Sequence, residues 1–138
     1  MRLLVEADGG SRGNPGPAGY GAVVCDADSG EVLVECSEGI GIATNNVAEY
    51  QGLIAGLRAA VELGGTSADV EVRMDSKLVV EQMSGRWKIK HPAMQPLAQE
   101  AARLIDKLGA VRLTWIPRER NKRADRLANL AMDAQAAR

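Results

Sequence analysis

Apolar residues occur in short runs along the chain, and these runs predict five strands. Each run is bounded by glycine, proline or small polar residues, a pattern typical of short strands. The predicted strands are Leu3–Asp8, Tyr20–Asp26, Glu31–Ser37, Val70–Met74 and Val111–Ile116. The segment Asp28-Ser29-Gly30 predicts a hairpin turn between the second strand and the third.

A longer segment carries its apolar residues at helical spacing, from position 47 to position 61. This spacing predicts a helix that begins near Thr44–Asn46, which are good N-cap residues, and ends at Gly64-Gly65. Gly52 and Gly56 lie on one face of it, and each costs about 1 kcal/mol of helix propensity. We therefore expect the backbone of this helix to approach a neighbouring element closely there. Further helices are predicted over residues 76–83, 98–108 and 121–136.

The element order, β-β-β-α-β-α-α-β-α, predicts the fold class. Strands joined by turns run antiparallel, whereas strands joined through a helix run parallel with right-handed crossovers. We therefore expect an α/β fold: a mixed five-stranded sheet, its first three strands antiparallel and its fourth and fifth parallel to the first, with helices on both faces. The length predicts a single domain over residues 1–138. Residues 9–19 are predicted to form a long turn, and residues 39–43 a connector.

Composition narrows the class of protein further. No apolar run approaches the ~20 residues that span a bilayer, and the N-terminus turns acidic at Glu6, too early for a signal peptide. We expect a cytoplasmic protein without membrane contact, and a monomer. Cys25 and Cys36 are too few for a disulfide framework and are expected to be reduced. His91 is the only histidine, so the sequence predicts no metal site of the Cys/His type.

Charge is distributed unevenly along the chain. Residues 1–85 hold 5 Lys/Arg and 13 Asp/Glu, whereas residues 86–126 hold 11 Lys/Arg and 4 Asp/Glu. An acidic half beside a basic half is typical of a protein that holds a polyanion across a metal centre. Two solvated faces of opposite sign would give the same totals, so charge alone leaves nucleic-acid binding open.

Four acidic residues stand next to predicted element boundaries, and parallel strands bring such ends to one rim of a sheet. They are Asp8, Glu49, Asp75 and Asp125. Two carboxylates ~4 Å apart repel by about 1 kcal/mol in water and by more at a protein surface. A cluster of four therefore needs divalent cations, and carboxylates that hold metal ions perform phosphoryl-transfer chemistry.

Each acid also has an ordinary structural explanation. Asp8 precedes Gly9 and would open a turn, and Glu49 follows Asn46 at capping-box spacing. Asp75 would serve as a helix N-cap, and Asp125 would complement a helix dipole. Together these explanations require four independent coincidences around one rim. A nucleotide-binding loop is excluded at the glycine-rich segment, since that segment runs into a strand and not into a helix.

Four sequence blocks resemble the signature blocks of type 1 ribonuclease H, in order and over essentially the whole chain. The blocks are Asp8–Gly16, Thr44–Glu49, Met74–Ser76 and Asn121–Ala128. The resemblance implies the ribonuclease H fold and cleavage of the RNA strand of RNA–DNA hybrids to 5′-phosphate and 3′-hydroxyl ends. It also implies two Mg²⁺ or Mn²⁺ ions. Asp8 would bridge both ions, Glu49 and Asp75 would bind one, and Asp125 would bind the other.

The resemblance also implies substrate contacts. Asn14, Asn45 and Asn46 would meet the minor groove of the hybrid, and Thr44 a DNA phosphate. Ser76 and Lys77 would contact the strand flanking the cut, and Trp87 a deoxyribose. The loop 117–120 lacks the histidine of many family members, so Arg118 would stand in as a charge. His91 receives no catalytic role.

Several alternatives stay open at this point. The segment 86–90 resembles a shortened basic handle, and members without the handle also cut duplex RNA. The segment 76–87 most resembles the N-terminal domain of actinobacterial two-domain proteins that carry a phosphatase domain after it. A non-catalytic module that binds hybrid or duplex RNA would lack at least one acid, and none is missing. A resolvase or transposase core would lack the blocks around Asn14 and Asn45-Asn46.

Overall fold

The computed structural model describes residues 1–137 and forms one mixed five-stranded sheet in the order β3-β2-β1-β4-β5. The strands are β1 (Arg2–Ser11), β2 (Gly16–Asp26), β3 (Val32–Ala43), β4 (Asp69–Met74) and β5 (Ala110–Trp115). β2 runs antiparallel to β1 and β3, whereas β4 runs parallel to β1 and β5. The predicted strand directions are therefore confirmed.

Four helices cover the two faces of this sheet, as predicted. They are α1 (Asn45–Gly64), α2 (Lys77–Met83), α3 (Gln95–Ile105) and α4 (Lys122–Ala136), and 3₁₀ turns lie at Gly65–Ser67 and Arg118–Arg120. α1 packs on β1 and β2 with α3 beside it, and the main core lies between these helices and the sheet. α4 packs on β1, β2 and β3 at the other face. None of the helices within residues 1–137 has the length and apolar character needed to cross a bilayer.

The glycine-rich segment differs from the prediction, because most of it is strand and not turn. β1 continues to Ser11 and β2 begins at Gly16, so only four residues form the turn. A Cβ atom at Gly19 would lie 2.7 Å from the Cβ of Ala131, and one at Gly21 would lie 2.5 Å from the Ala124 carbonyl oxygen. The glycines therefore let α4 lie close against β2. The predicted connector 39–43 is likewise part of β3.

The expected close approach of α1 is confirmed at both helix glycines. A Cβ atom at Gly52 would lie 2.7 Å from the Asp8 carbonyl oxygen, and one at Gly56 would lie 2.5 Å from Cγ1 of Val5. Gly9 completes this contact from the strand, since its Cβ would lie 2.3 Å from the backbone of Ala48. Three glycines thus bring the first turns of α1 against the end of β1.

The helix caps decide between the structural and functional explanations of two acids. Thr44 is the N-cap of α1 and accepts from Val47 N, so Glu49 belongs to no capping box. Ser76 is the N-cap of α2 and accepts from Val79 N, which leaves the Asp75 carboxylate outside that role. The two cysteines are unpaired, as expected.

Candidate active site

The parallel part of the sheet brings two of the acids to one rim. The β1–β4 ladder ends at the pair Ala7 and Met74, and the next residue of each chain segment is Asp8 and Asp75. Asp8 is not the last residue of its strand, contrary to the prediction, because the antiparallel pairing with β2 continues to Ser11. Its backbone is therefore fixed by a ladder on one side, and its carboxyl group lies where the other ladder stops.

The helices add the remaining acids to the same cleft. Asp8, Glu49 and Asp75 each place one carboxylate oxygen so that the three atoms lie within 4.8 Å of one another. Asp125, in the first turn of α4, lines the cleft with them. The cleft has a volume of about 380 Å³, and its lining residues are Asp8–Arg12, Asn45, Glu49, Asp75, Arg118, Asp125, Asn129 and Met132. The four acids predicted from the sequence are therefore brought together.

The electrostatics of this cluster are unfavourable for four bare carboxylates. Burial raises the pKa of Asp8 well above its usual range, and the charges of Glu49 and Asp75 raise it further. Burial also raises the pKa of Glu49, although the Gly9 N–H, which donates to Glu49 Oε1 at 2.6 Å, opposes this shift. A bound cation would favour the ionised form of each group. Hard oxygen ligands of this density fit divalent ions, so the residues present match the implied metal.

Cationic groups near the cleft leave most of this negative charge uncompensated. Arg118 Nη2 lies 3.4 Å from Asp125 Oδ1, and the Arg118 side chain is 75% exposed. Arg12 also lines the cleft, but its guanidinium pairs with Asp133 at 2.8 Å and with Asn129 Oδ1 at 3.0 Å. Arg118 is therefore the cation that contacts the acidic cluster directly, at the position predicted from the sequence.

Two asparagines predicted to bind substrate are linked to each other next to the cleft. Asn14 Oδ1 accepts from Asn45 N at 3.0 Å, and Asn45 Oδ1 accepts from Ser11 N at 2.7 Å. Because backbone N–H groups engage both oxygens, the two Nδ2 groups are directed elsewhere. Neither Nδ2 group donates to another residue within positions 1–137. Asn46 and Thr44 are exposed beside them at the start of α1.

The other residues predicted to contact substrate lie in different parts of the structure. Ser76 is buried, and its hydroxyl group caps α2, so the exposed member of that pair is Lys77. Lys77 Nζ lies 5.9 Å from the ring centroid of Trp115. Trp87 is 44% exposed on the loop after α2 and does not line the cleft. A contact from Ser76 or Trp87 to substrate stays a prediction, and His91 lies exposed on the same loop as Trp87.

Three residues of the site escaped the sequence prediction. Asn121 is fully buried and donates to Asp75 Oδ1 at 3.4 Å, and Asn129 donates to the Asp125 carbonyl oxygen at 2.9 Å. Trp115 donates from Nε1 to the Asp75 carbonyl oxygen at 3.2 Å. Asn121 was predicted only as the start of the last helix and of the fourth sequence block, although a polar residue preceding a candidate metal ligand by one helical turn was a usable signal. Nothing in the local sequence indicated Trp115.

Comparisons with known proteins agree with this geometry. Residues 6–131 match a family described as reverse transcriptase-like. The chain is 62% identical over 136 residues to the bifunctional protein Rv2228c of Mycobacterium tuberculosis, which covers 99% of this chain and 37% of that protein. The chain thus spans little more than a third of the length of that relative.

Two solved structures resemble the fold closely. The N-terminal RNase H domain of Rv2228c from Mycobacterium tuberculosis, solved as a fusion with maltose binding protein, has a TM-score of 0.95 at 60% identity, covering 99% of this chain and 97% of that chain. LC11-RNase H1, solved in complex with an RNA/DNA hybrid, has a TM-score of 0.90 at 43% identity, covering 96% and 97%. The chain belongs to the ribonuclease H family, as its four sequence blocks implied.

Proposed function

We propose that this domain is a metal-dependent endonuclease that hydrolyses the RNA strand of RNA–DNA hybrids and leaves 5′-phosphate and 3′-hydroxyl ends. The observation that carries the proposal is the convergence of four carboxylates from β1, α1, the end of β4 and α4 in one cleft. Asp8 is only 6% exposed there. Burial of clustered acids disfavours the folded state unless a cation neutralises them, so the arrangement indicates a function and not a role in stability.

The four acids would hold two divalent ions, Mg²⁺ or Mn²⁺. Such a pair supplies an activated water and stabilises the leaving oxygen in an in-line displacement. The chain itself fixes the ligands: the Gly9 N–H orients Glu49, and the ladder with β2 holds the backbone of Asp8. Because these supports are backbone groups, the cleft is formed before substrate arrives.

Substrate selection follows from the amide groups beside the cleft. The free Nδ2 donors of Asn14 and Asn45 match the acceptors that bases present in a minor groove, and exposed Asn46 extends the same surface. A 2′-hydroxyl group on one strand distinguishes RNA from DNA at such a surface. The Thr44 hydroxyl group accepts from Val47 N and keeps its own hydrogen for a phosphate oxygen. Arg118 would bind a phosphate near the cut as a fixed charge.

The loop after α2, residues 84–94, carries basic side chains that would add affinity for nucleic acid without adding sequence specificity. Trp87, Lys88 and Lys90 are exposed there, and Lys77 lies close by in sequence at the start of α2. Phosphate contacts of this kind are salt-dependent and independent of sequence. The domain would therefore also bind duplex RNA, whose groove shape is similar to that of a hybrid.

The test is cleavage of matched hybrid, duplex RNA and duplex DNA with Mg²⁺ or Mn²⁺ as the only variable. The wild type should cut the RNA strand of the hybrid, and Asp75→Asn should lose activity by about 10³-fold or more at unchanged fold. Asp106→Asn makes the same chemical change at an exposed site outside the cleft and should keep full activity. Equal cutting of duplex DNA and hybrid would instead favour a resolvase-like or transposase-like enzyme. Hybrid binding without cleavage would indicate a silent module.

A further inference from the structure

Asn121 joins three parts of the acidic cluster. Its Nδ2 donates to the Ala7 carbonyl oxygen at 2.9 Å, directly before Asp8, and to Asp75 Oδ1 at 3.4 Å. The backbone carbonyl oxygen of Asn121 accepts from Asp125 N at 3.0 Å. One residue thus contacts β1 at Ala7, next to Asp8, together with the carboxylate of Asp75 and the helical turn that carries Asp125.

The Asn121 side chain is not a helix cap, although the residue occupies the N-cap position of α4. No N–H group of the helix donates to it. The side chain is completely buried, and its Oδ1 atom has no hydrogen-bond partner within residues 1–137. Rotating the amide by half a turn would not relieve this, because Oδ1 would then face the carbonyl oxygen of Ala7 and the carboxylate of Asp75. The unpaired oxygen is therefore a consequence of directing both amide hydrogens at the cluster.

A buried acceptor without a partner destabilises a fold. Leucine has the same branched shape without a polar atom, although it is larger, so packing alone would not favour asparagine here. The presence of asparagine is thus explained by what its donors do and not by packing. Its Nδ2 fixes the rotation of the Asp75 carboxylate relative to the end of β1, where Asp8 lies.

We propose that Asn121 is a positioning residue that orients Asp75 for metal binding and so sets the rate of cleavage but not the affinity for the hybrid. The inference rests on the proposed function, and it assigns Asn121 no contact with substrate. Hydrogen-bond partners of metal ligands typically change metal affinity or activity 10–100-fold when they are removed.

The test compares Asn121→Leu with Ser37→Ala. Ser37 is the matched control because its Oγ donates to the Leu127 carbonyl oxygen at 2.7 Å, which also ties α4 to the sheet, but outside the cleft. Three quantities are measured for each variant: Mn²⁺ affinity by calorimetry without substrate, the unfolding midpoint in EDTA, and kcat and KM on the hybrid. Circular dichroism confirms the folded state at the temperature of the titration.

Asn121→Leu should lower Mn²⁺ affinity and kcat by about tenfold or more with KM for the hybrid within about twofold, while its unfolding midpoint in EDTA stays equal or rises. Ser37→Ala should lower the midpoint and leave Mn²⁺ affinity unchanged. Wild-type Mn²⁺ affinity in a folded Asn121→Leu protein would overturn the inference, as would a loss confined to KM.

A second variant keeps the test decisive if Asn121→Leu does not fold. Asn121→Ala removes the same donors without adding volume, and it should show the same loss of Mn²⁺ affinity. Failure of the proposed function is distinguishable, because the wild type itself would then neither bind Mn²⁺ nor cleave the hybrid. A wild type that does both, beside an Asn121→Ala protein with unchanged affinity, would overturn only the role of Asn121.

Discussion

The cleft and the loop after α2 carry the two halves of the proposed function on very different supports. The cleft takes its acids from regular elements or, for Asp75, from the residue directly after one, and Asp8 is held by the strand ladder with β2. In the loop, residues 84–94, nearly every basic side chain is exposed to solvent. Two glutamine amides hold it: Gln82 donates to the Lys88 carbonyl oxygen at 3.3 Å, and Gln95 donates to that of Ile89 at 3.1 Å.

Each region is therefore expected to control a different property of the enzyme. Chemistry at a metal centre depends on ligand position to a fraction of an ångström, and strands and helices supply that precision. Attraction of a polyanion depends on charge that is near the backbone of the substrate, and it tolerates motion. Changes at the cleft should therefore alter kcat, and changes at the loop should alter KM and its dependence on salt.

The largest effect is expected at Asp8. Asp8→Asn should lower kcat by about 10³-fold or more. It should also raise the free energy of unfolding in EDTA by about 1–2 kcal/mol, because an amide is neutral without having to take up a proton on folding. Cleavage rates and urea unfolding of the same preparation measure both. Lost activity together with lost stability would mean that Asp8 supports the fold and not a metal site.

The next largest effect is expected at Gly52, which is not one of the four acids. Gly52→Ala places a Cβ atom 2.7 Å from the Asp8 carbonyl oxygen, so α1 must move away from β1 and carry Glu49 with it. We expect a loss of about 1–3 kcal/mol of stability and of up to about 100-fold in kcat. The measurements are thermal unfolding and cleavage kinetics.

Gly39→Ala is the matched control for this substitution. The added atom meets the end of the flexible Gln135 side chain, 2.2 Å away, and not a backbone. Gln135 can turn aside, so activity should stay within about twofold of the wild type. Equal losses in both variants would show that the contact between Gly52 and Asp8 has no special effect on activity.

The fold class and the acidic residues could be predicted because both depend on short-range patterns. Strand and helix periodicity fixes the topology once crossover handedness is known, and the rim then collects Asp8 and Asp75. Asn121 could not be assigned its role, since its contact with Ala7 joins residues 114 positions apart. The glycine-rich strands were also missed: glycine commonly marks turns, and only the packing of α4 shows why Gly19 and Gly21 lie in a strand.

A smaller effect than those of the substitutions above is expected in the pH dependence of stability, and it should come from the cleft and not from the loop. Burial and the charges of Glu49 and Asp75 raise the pKa of Asp8, so the folded state holds a proton that the unfolded chain has released above about pH 4. The free energy of unfolding in EDTA should therefore fall as pH rises from about 4 toward the raised pKa. Urea unfolding across this range should show a shallower slope with Mn²⁺, which favours the ionised carboxylates. Asp125 faces Asp8 as well, and Arg118 contacts Asp125; both would affect only the size of the slope.

The smallest effect is expected from the loop. Lys88→Ala removes an exposed charge whose backbone carbonyl group, and not its side chain, is held by Gln82. The fold should be unaffected, and KM for the hybrid should rise by a few-fold at low salt, since one phosphate contact is worth about one counterion. Kinetics at two salt concentrations test this: the difference from the wild type should shrink as salt is raised, with kcat unchanged. Lys107→Ala, which removes an exposed lysine outside the loop, makes the same change in net charge and is the control. A fall in kcat for Lys88→Ala would mean that the loop also positions the strand being cut, and that the division between a rigid catalytic region and a tolerant binding region does not hold.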